Sequence, residues 1–293
     1  MSGGYRGHLA MLAFSALVAG SFSLGSMTAN HIDPAAFNAV RFLCGAVVVS
    51  LIVQARGGFR RTHFHAPWRY LILGGLFGAY FVLMFEGLKT APPVSAAAVF
   101  TLTPIMTAGF GFLLLSQLMT GRMALALAIG GAGALWVIFR ADMSALLAFE
   151  IGRGEVIYFI GCISHAIYTP MVRMLNRGEP APVSTFGTML GGAFVLFLWG
   201  GAEVLATDWV ALPGIVWVTL FYTAVFATAI TVVLLQFASM QLPASKVMAY
   251  TYLTPTWVIG WEYFLGNGLP TVYVLGGVAL TVLALLLLLK NDG

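Results

Sequence analysis

The sequence predicts an all-α, polytopic membrane protein with ten transmembrane helices that form two inverted five-helix repeats. Three observations predict this fold class. The composition suits lipid better than water, ten apolar segments are long enough to cross a bilayer, and a Leu-Thr-Pro motif recurs in the second half of the chain.

The composition places the chain in a membrane. Of its 293 residues, 60% are hydrophobic and 8% are charged, and the mean hydropathy is +0.95. A soluble protein carries about 25% charged residues. The net charge of +4 does not indicate nucleic-acid binding, because the basic residues lie in short loops that orient a membrane protein. Cys44 and Cys162 fall inside apolar segments, so no disulfide framework is expected.

Ten apolar segments, numbered span 1 to span 10, follow one another along the chain. Each has roughly 20 residues, enough for a helix to cross about 30 Å of hydrocarbon. Because the spans continue at close intervals, the first is predicted to remain as a helix and not to be removed as a signal peptide. They cover residues 8–28, 36–54, 69–88, 94–115, 122–140, 153–174, 184–205, 213–236, 244–265 and 270–290.

The basic residues predict the orientation of these spans. An even number of spans puts both termini on one side of the membrane. If that side is cytoplasmic, ten of the 14 Lys and Arg residues lie inside, as the positive-inside rule requires. The four on the outer side are Arg41, Lys89, Arg140 and Arg153.

Matches between the two halves indicate an internal duplication. At an offset of 146, Asn30 pairs with Asn176 and Pro34 with Pro180. At an offset of 151, the "LTP" at 102–104 pairs with the "LTP" at 253–255. The predicted units are residues 1–146 and 147–293. Each contains five spans, an odd number, so the units enter the membrane from opposite sides, as in many secondary transporters.

Ten spans in two halves, with "LTP" in spans 4 and 9, resemble the EamA-type drug/metabolite transporter superfamily. Within it the chain is most similar to bacterial exporters of aromatic and other neutral amino acids. The resemblance implies a transporter of the bacterial inner membrane with a central cavity lined by spans 1, 3, 4, 6, 8 and 9. It also implies that spans 5 and 10 stand outside that cavity, and span 10 has almost no polar atoms.

The two motif prolines are predicted to bend their helices. Pro104 and Pro255 lie about 15 Å into spans 4 and 9. Each removes a backbone donor, so the carbonyls of Phe100 and Thr251 are expected to be free acceptors that face protein or a wet cavity. Such acceptors suit an ammonium or amide donor on a substrate, and the bends suit a hinge. The alternative is a packing kink with no ligand.

Polar and aromatic stripes supply the candidate binding residues. His165 is the one ionisable group predicted near the membrane centre, which makes it a functional candidate. The alternative is a neutral histidine bonded to another helix, and the aromatic stripes could serve packing alone. Threonines before the prolines can bond nearby carbonyls. The candidate substrate-binding residues are Phe77, Tyr80, Met84, Phe100, Thr103, Tyr158, Cys162, His165, Tyr168, Tyr222, Phe226, Tyr250, Thr254 and Trp257.

The charges that the spans lack restrict the substrate. Span 1 has no acidic residue, which argues against a carboxylate-based proton antiport and against the alternative function, export of lipophilic cations or drugs. No Lys or Arg is expected at the midplane, which argues against a phosphate-bearing substrate. A small amino acid with an apolar side chain needs neither charge.

Other classes of function have less support in the sequence. An intramembrane transferase would need a nucleophile with a base or a metal cluster, and His165, Cys162 and Ser164 have no carboxylate nearby in sequence. A sensor would need a signalling domain, and the loops are too short for one. No cofactor, metal site or catalytic residue is predicted, and the sequence does not decide between a monomer and a dimer.

Overall fold

The computed structural model describes residues 3–148 and 150–289, and every regular element within them is helical. The first half consists of α1 (Gly3–Thr28), α2 (Pro34–Ala55), α3 (Trp68–Leu88), α4 (Pro93–Phe100), α5 (Thr103–Leu115), α6 (Gly121–Ile138) and the short α7 (Met143–Leu147). The second half consists of α8 (Arg153–Leu175), α9 (Ala181–Ala206), α10 (Gly214–Ala224), α11 (Thr231–Ser239), α12 (Ala244–Ala249), α13 (Thr254–Phe264) and α14 (Val272–Leu289).

Nine helical stretches in the described ranges are long and apolar enough to cross a membrane. Two of them join consecutive elements, α4 with α5 and α10 with α11, and the second junction is a π-helical turn at Val225–Ile230. Span 9, in which Pro255 is predicted to bend the helix, is not one continuous helix. It divides into α12, a 3₁₀ turn at Tyr250–Leu253 and α13, because Pro255 lacks the N–H that a continuous α-helix needs. This broken segment completes the ten crossings.

The contacts between helices follow a two-fold pattern. The pairs α2–α9 and α6–α14 each join a helix to its counterpart in the other half. The contact of α3 with α8 is matched by the contact of α1 with α10 and α11. Exchanging the halves therefore leaves the arrangement unchanged, as two copies of one five-helix unit require.

The two broken segments pack against each other in opposite directions. The first part of span 4, α4, contacts the second part of span 9, α13, while α5 contacts α12. This crossing is the one expected when the two halves run through the membrane in opposite senses. The helix breaks therefore lie where the repeats meet, enclosed by protein.

Close helix approaches depend on paired glycines. A methyl group on Gly87 of α3 would lie 2.6 Å from the carbonyl oxygen of Gly154 on α8. A methyl group on Gly133 of α6 would lie 2.6 Å from the carbonyl oxygen of Gly277 on α14. Small residues let membrane helices pack backbone to backbone, and van der Waals contact is a main source of association in lipid.

We expect Gly87→Ala to destabilise the protein, because the added methyl group overlaps the α8 backbone. Overpacking of this kind costs about 1–3 kcal/mol. The measurement is the midpoint of thermal unfolding in detergent. The matched control is Gly109→Ala in α5, where a methyl group meets nothing within 4 Å. Equal midpoints for the two variants would contradict the inferred close packing.

Candidate functional site

Helices α3, α4 and α8 bring seven ring side chains together in the interior. Positions three and four residues apart on α3 and α8 share one helix face, and those two faces meet. All seven rings are buried, with exposures of 5% or less. The central aromatic cluster consists of Phe77, Tyr80, Phe81, Phe100, Tyr158, His165 and Tyr168.

The rings of this cluster interlock at contact distance. Phe77 stacks on Tyr168 with 4.6 Å between ring centroids. The Tyr80 ring meets His165 edge to face, also at 4.6 Å. The hydroxyls of Tyr80 and Tyr158 share a hydrogen bond of 3.0 Å. The cluster is therefore a packed aromatic layer with its hydroxyl groups held inside.

The space left at the centre is small. The cavity bordered by the cluster has a volume of about 10 Å³, about the room that one water molecule needs. The open central cavity that the resemblance implies is therefore closed in this conformation, because the rings fill it. The lining comes from five of the six implied spans: α1, α3, α4, α8 and the π turn with α11.

His165 keeps unused hydrogen-bonding capacity inside the cluster. The side chain is 2% exposed, and its Nδ1 atom has no hydrogen-bond partner among the described residues. A bond from this atom to another helix, as the packing alternative requires, is not present in this conformation. Since buried polar atoms are nearly always paired, the imidazole can bond to a guest molecule.

Both Leu-Thr-Pro motifs lie at a helix break, but the carbonyls predicted to be free are bonded. The carbonyl oxygen of Phe100 accepts a hydrogen bond from the Thr103 hydroxyl at 2.6 Å. That of Thr251 accepts one from the backbone N–H of Thr254. The prediction of free acceptors is therefore wrong for this conformation. Tighter turns and a threonine hydroxyl replace the bonds that the prolines remove.

Three predicted aromatic residues of the second half contact α1 and not the central cluster. The Tyr222 hydroxyl donates to a backbone carbonyl of α1 at 2.9 Å. Tyr250 shares a hydrogen bond of 3.1 Å with His8, and Trp257 donates to the Ser15 hydroxyl at 3.2 Å. Trp257 is 41% exposed.

Four further candidates lie at separate positions. Phe226 lies in the π turn, with its ring 5.6 Å from that of Tyr222. Met84 lines the small cavity, and Cys162 is buried on α8 with a free thiol. Thr254 is buried on α13, and its hydroxyl has no partner in the described part of the chain.

Arg41 is a buried residue that the sequence analysis placed on the outer surface. It is 0% exposed, seven residues into α2. Its Nε–H donates to the Thr228 hydroxyl at 2.7 Å, and the guanidinium carbon lies 3.7 Å from the centroid of the Phe81 ring. From the sequence we expect no Lys or Arg at the midplane and do not identify this cation, which is buried nearer the start of α2. A lone charge five residues inside span 2 was the signal that could have located it.

We expect Thr103→Val to destabilise the protein more than Thr254→Val does. The first change leaves the buried Phe100 carbonyl without its hydroxyl donor, at a cost of about 1–3 kcal/mol. The second removes a hydroxyl that makes no hydrogen bond in the described structure. Thermal unfolding of both variants, with Thr103→Ser as the control that keeps the donor, measures the difference. Equal losses at the two threonines would refute this account of the helix breaks.

Comparison with known proteins identifies the architecture. The model of the EamA-like transporter family matches the chain twice, at residues 5–139 and 152–290. An uncharacterized transporter of Bacillus subtilis (strain 168), YyaM, is 26% identical over 278 residues, which cover 92% of this chain and 90% of that protein. A crystal structure described as "Crystal structure of protein" superimposes with a TM-score of 0.72 at 20% identity. It aligns 98% of this chain with 97% of the other.

The structural superposition, at 20% identity, supports the fold alone. The two matches to the family model cover nearly the whole length of this chain, one in each half. They identify a membrane transporter of small metabolites and not an enzyme. The chain belongs to the EamA-like transporter family.

Proposed function

We propose that this transporter exports aromatic or other neutral amino acids across the bacterial inner membrane, with both termini in the cytoplasm. The observation that carries the proposal is the central aromatic cluster. It holds a buried imidazole without a partner and lies against the helix break at which α4 ends. An opened cluster would offer aromatic walls to an apolar side chain and a hydrogen bond to its polar end.

The charges around the cluster favour an amino acid over a lipophilic cation. A buried carboxylate is a favourable partner for a cation in the membrane interior. Helix α1 has no Asp or Glu, and the two buried carboxylates in the described structure, Glu155 and Glu179, are bonded near helix ends. Neither lines the central cavity.

The way the repeats meet supports a mechanism of alternating access. Residues 1–146 and 147–293 act as the two units, and their broken segments cross through the contacts of α4 with α13 and α5 with α12. Rotation of one unit against the other, with Pro104 and Pro255 as hinges, opens the cluster to one side of the membrane at a time. The closed cavity of about 10 Å³ corresponds to an occluded stage of this cycle.

We expect purified protein in liposomes to exchange labelled phenylalanine, threonine or methionine, with a competition panel of the twenty amino acids defining the preference. Tyr80→Ala removes a wall of the cluster and should lower the flux about tenfold. The matched control is Phe194→Ala on α9, whose ring is 56% exposed and lies away from the cluster. No flux above protein-free vesicles for any amino acid would overturn the proposed function, and quaternary ammonium ions would then test the alternative.

We expect Pro255→Ala to lower the maximal transport rate while the KM for the same amino acid changes little. Alanine restores a backbone donor, which lets the 3₁₀ turn and α13 join into a stiffer helix. The initial rate over a range of substrate concentrations separates the two parameters, and Pro270→Ala in the loop before α14 is the control. A raised KM with an unchanged maximal rate would contradict the hinge.

A further inference from the structure

We propose that the guanidinium of Arg41 binds the carboxylate of the transported molecule. The inference rests on the proposed function and names the chemical group that the site recognises. Arg41 lies on α2 with its guanidinium against the ring of Phe81, and that ring also contacts the rings of Phe77 and Tyr80.

The guanidinium has no counter-charge in the described structure. Its hydrogen-bond partners are the Thr228 hydroxyl, the Ala227 carbonyl and the Asn38 side-chain carbonyl, all neutral. The ion pairs found among the described residues join Arg69 to Glu179 and Lys89 to Glu86. Taking a charge out of water costs several kcal/mol unless an opposite charge compensates it. An anion that enters with the substrate would supply that compensation.

The donor count fits a carboxylate. A guanidinium has five N–H donors in a planar fork, and three are used by the bonds to Thr228, Ala227 and Asn38. Two remain, one on each terminal nitrogen. Two donors on adjacent nitrogens match the two oxygens of one carboxylate, which is the bidentate pairing that arginine favours.

The matching helix of the second half has no arginine at the corresponding position. At the repeat offset of 146, the counterpart of Arg41 is Gly187 in α9. Helix α9 forms over 26 residues without a charge at that position, and it packs against α2. The architecture that the two repeats share therefore does not by itself place a cation at this position.

The arginine adjoins the central cavity through two contacts. Phe81 and Ala227 both line the cavity, and both contact the guanidinium. Ala227 and Thr228 belong to the π turn, a helical irregularity that is frequent at functional sites. Movement of the Phe81 ring away from its present position would expose the guanidinium to the central cavity. A carboxylate at Arg41 would leave the apolar side chain of an amino acid among the aromatic rings.

A carboxylate fits better than a phosphate. One guanidinium neutralises the single charge of a carboxylate, whereas a phosphate monoester carries about 1.5–2 charges near neutral pH. The lining of the central cavity in the described structure contains no Lys or Arg, and Arg41 adjoins it through Phe81 and Ala227. A phosphate would therefore leave negative charge uncompensated inside the membrane.

Thermal unfolding of the purified protein tests the site without relying on transport. Phenylalanine and phenylacetate should each raise the unfolding midpoint, whereas phenylalaninamide and inorganic phosphate should not. Arg41→Gln should lose the response to both carboxylates. Arg153→Gln, which changes an exposed arginine at the start of α8, should keep it. Stabilisation by phosphate alone, or an equal response to phenylalanine and its amide, would overturn the inference.

Transport in liposomes gives a second readout. The wild type should prefer phenylalanine over phenylalaninamide, and Arg41→Gln should raise the KM for phenylalanine about tenfold. Equal flux of acid and amide through the wild type would overturn the carboxylate site and leave the amino acid carrier intact. A third outcome would overturn amino acid transport and still support the carboxylate site at Arg41. In that case no amino acid is transported, while phenylacetate stabilises the wild type but not Arg41→Gln.

If Arg41→Gln does not fold, Arg41→Lys serves as the second variant. It keeps the charge but lacks the planar fork of N–H donors, so it should bind phenylacetate more weakly than the wild type does.

Discussion

The bilayer cannot form hydrogen bonds with backbone groups, and the arrangement of this protein depends on that constraint. Two of its ten crossings are broken deep in the membrane, immediately before Pro104 and Pro255. Broken helices are tolerated there only when protein encloses them. The packing of α4 against α13 and of α5 against α12 provides the enclosure, and it brings the breaks of both halves together.

The enclosed region is satisfied almost completely by its own side chains in the closed conformation. The Thr103 hydroxyl and the 3₁₀ turn replace the bonds lost at the prolines. The hydroxyls of Tyr80 and Tyr158 bond to each other, and that of Tyr168 accepts a hydrogen bond from Gln236. Among the described residues, unbonded polar atoms remain at the Nδ1 of His165 and at the hydroxyls of Ser21 and Thr254, and the charge of Arg41 has only neutral partners. A ligand that bonds to the imidazole of His165 and brings a carboxylate to Arg41 would satisfy the first group and compensate the charge of the second.

The two halves share an architecture but not a chemistry. The helix contacts obey a two-fold pattern, yet Arg41 faces no charged counterpart in the second half, where Gly187 takes its position. The cluster draws on α3, α4 and α8, while the matching aromatic residues of the second half, among them Tyr222, contact α1. A symmetric scaffold can therefore rock between equivalent arrangements while an asymmetric lining binds one substrate.

The sequence by itself determined the membrane class, the crossings, the duplicated halves and the positions of the helix breaks. Hydropathy, span length and proline chemistry are properties of a segment and of its solvent, so they can be read without knowing any neighbour. Only the tertiary structure decided that Arg41 is buried, that the Phe100 carbonyl is bonded, that Trp257 lies against α1, and that the rings close the cavity. Those outcomes depend on how each helix is rotated towards its partners, and periodicity within one helix does not contain that rotation.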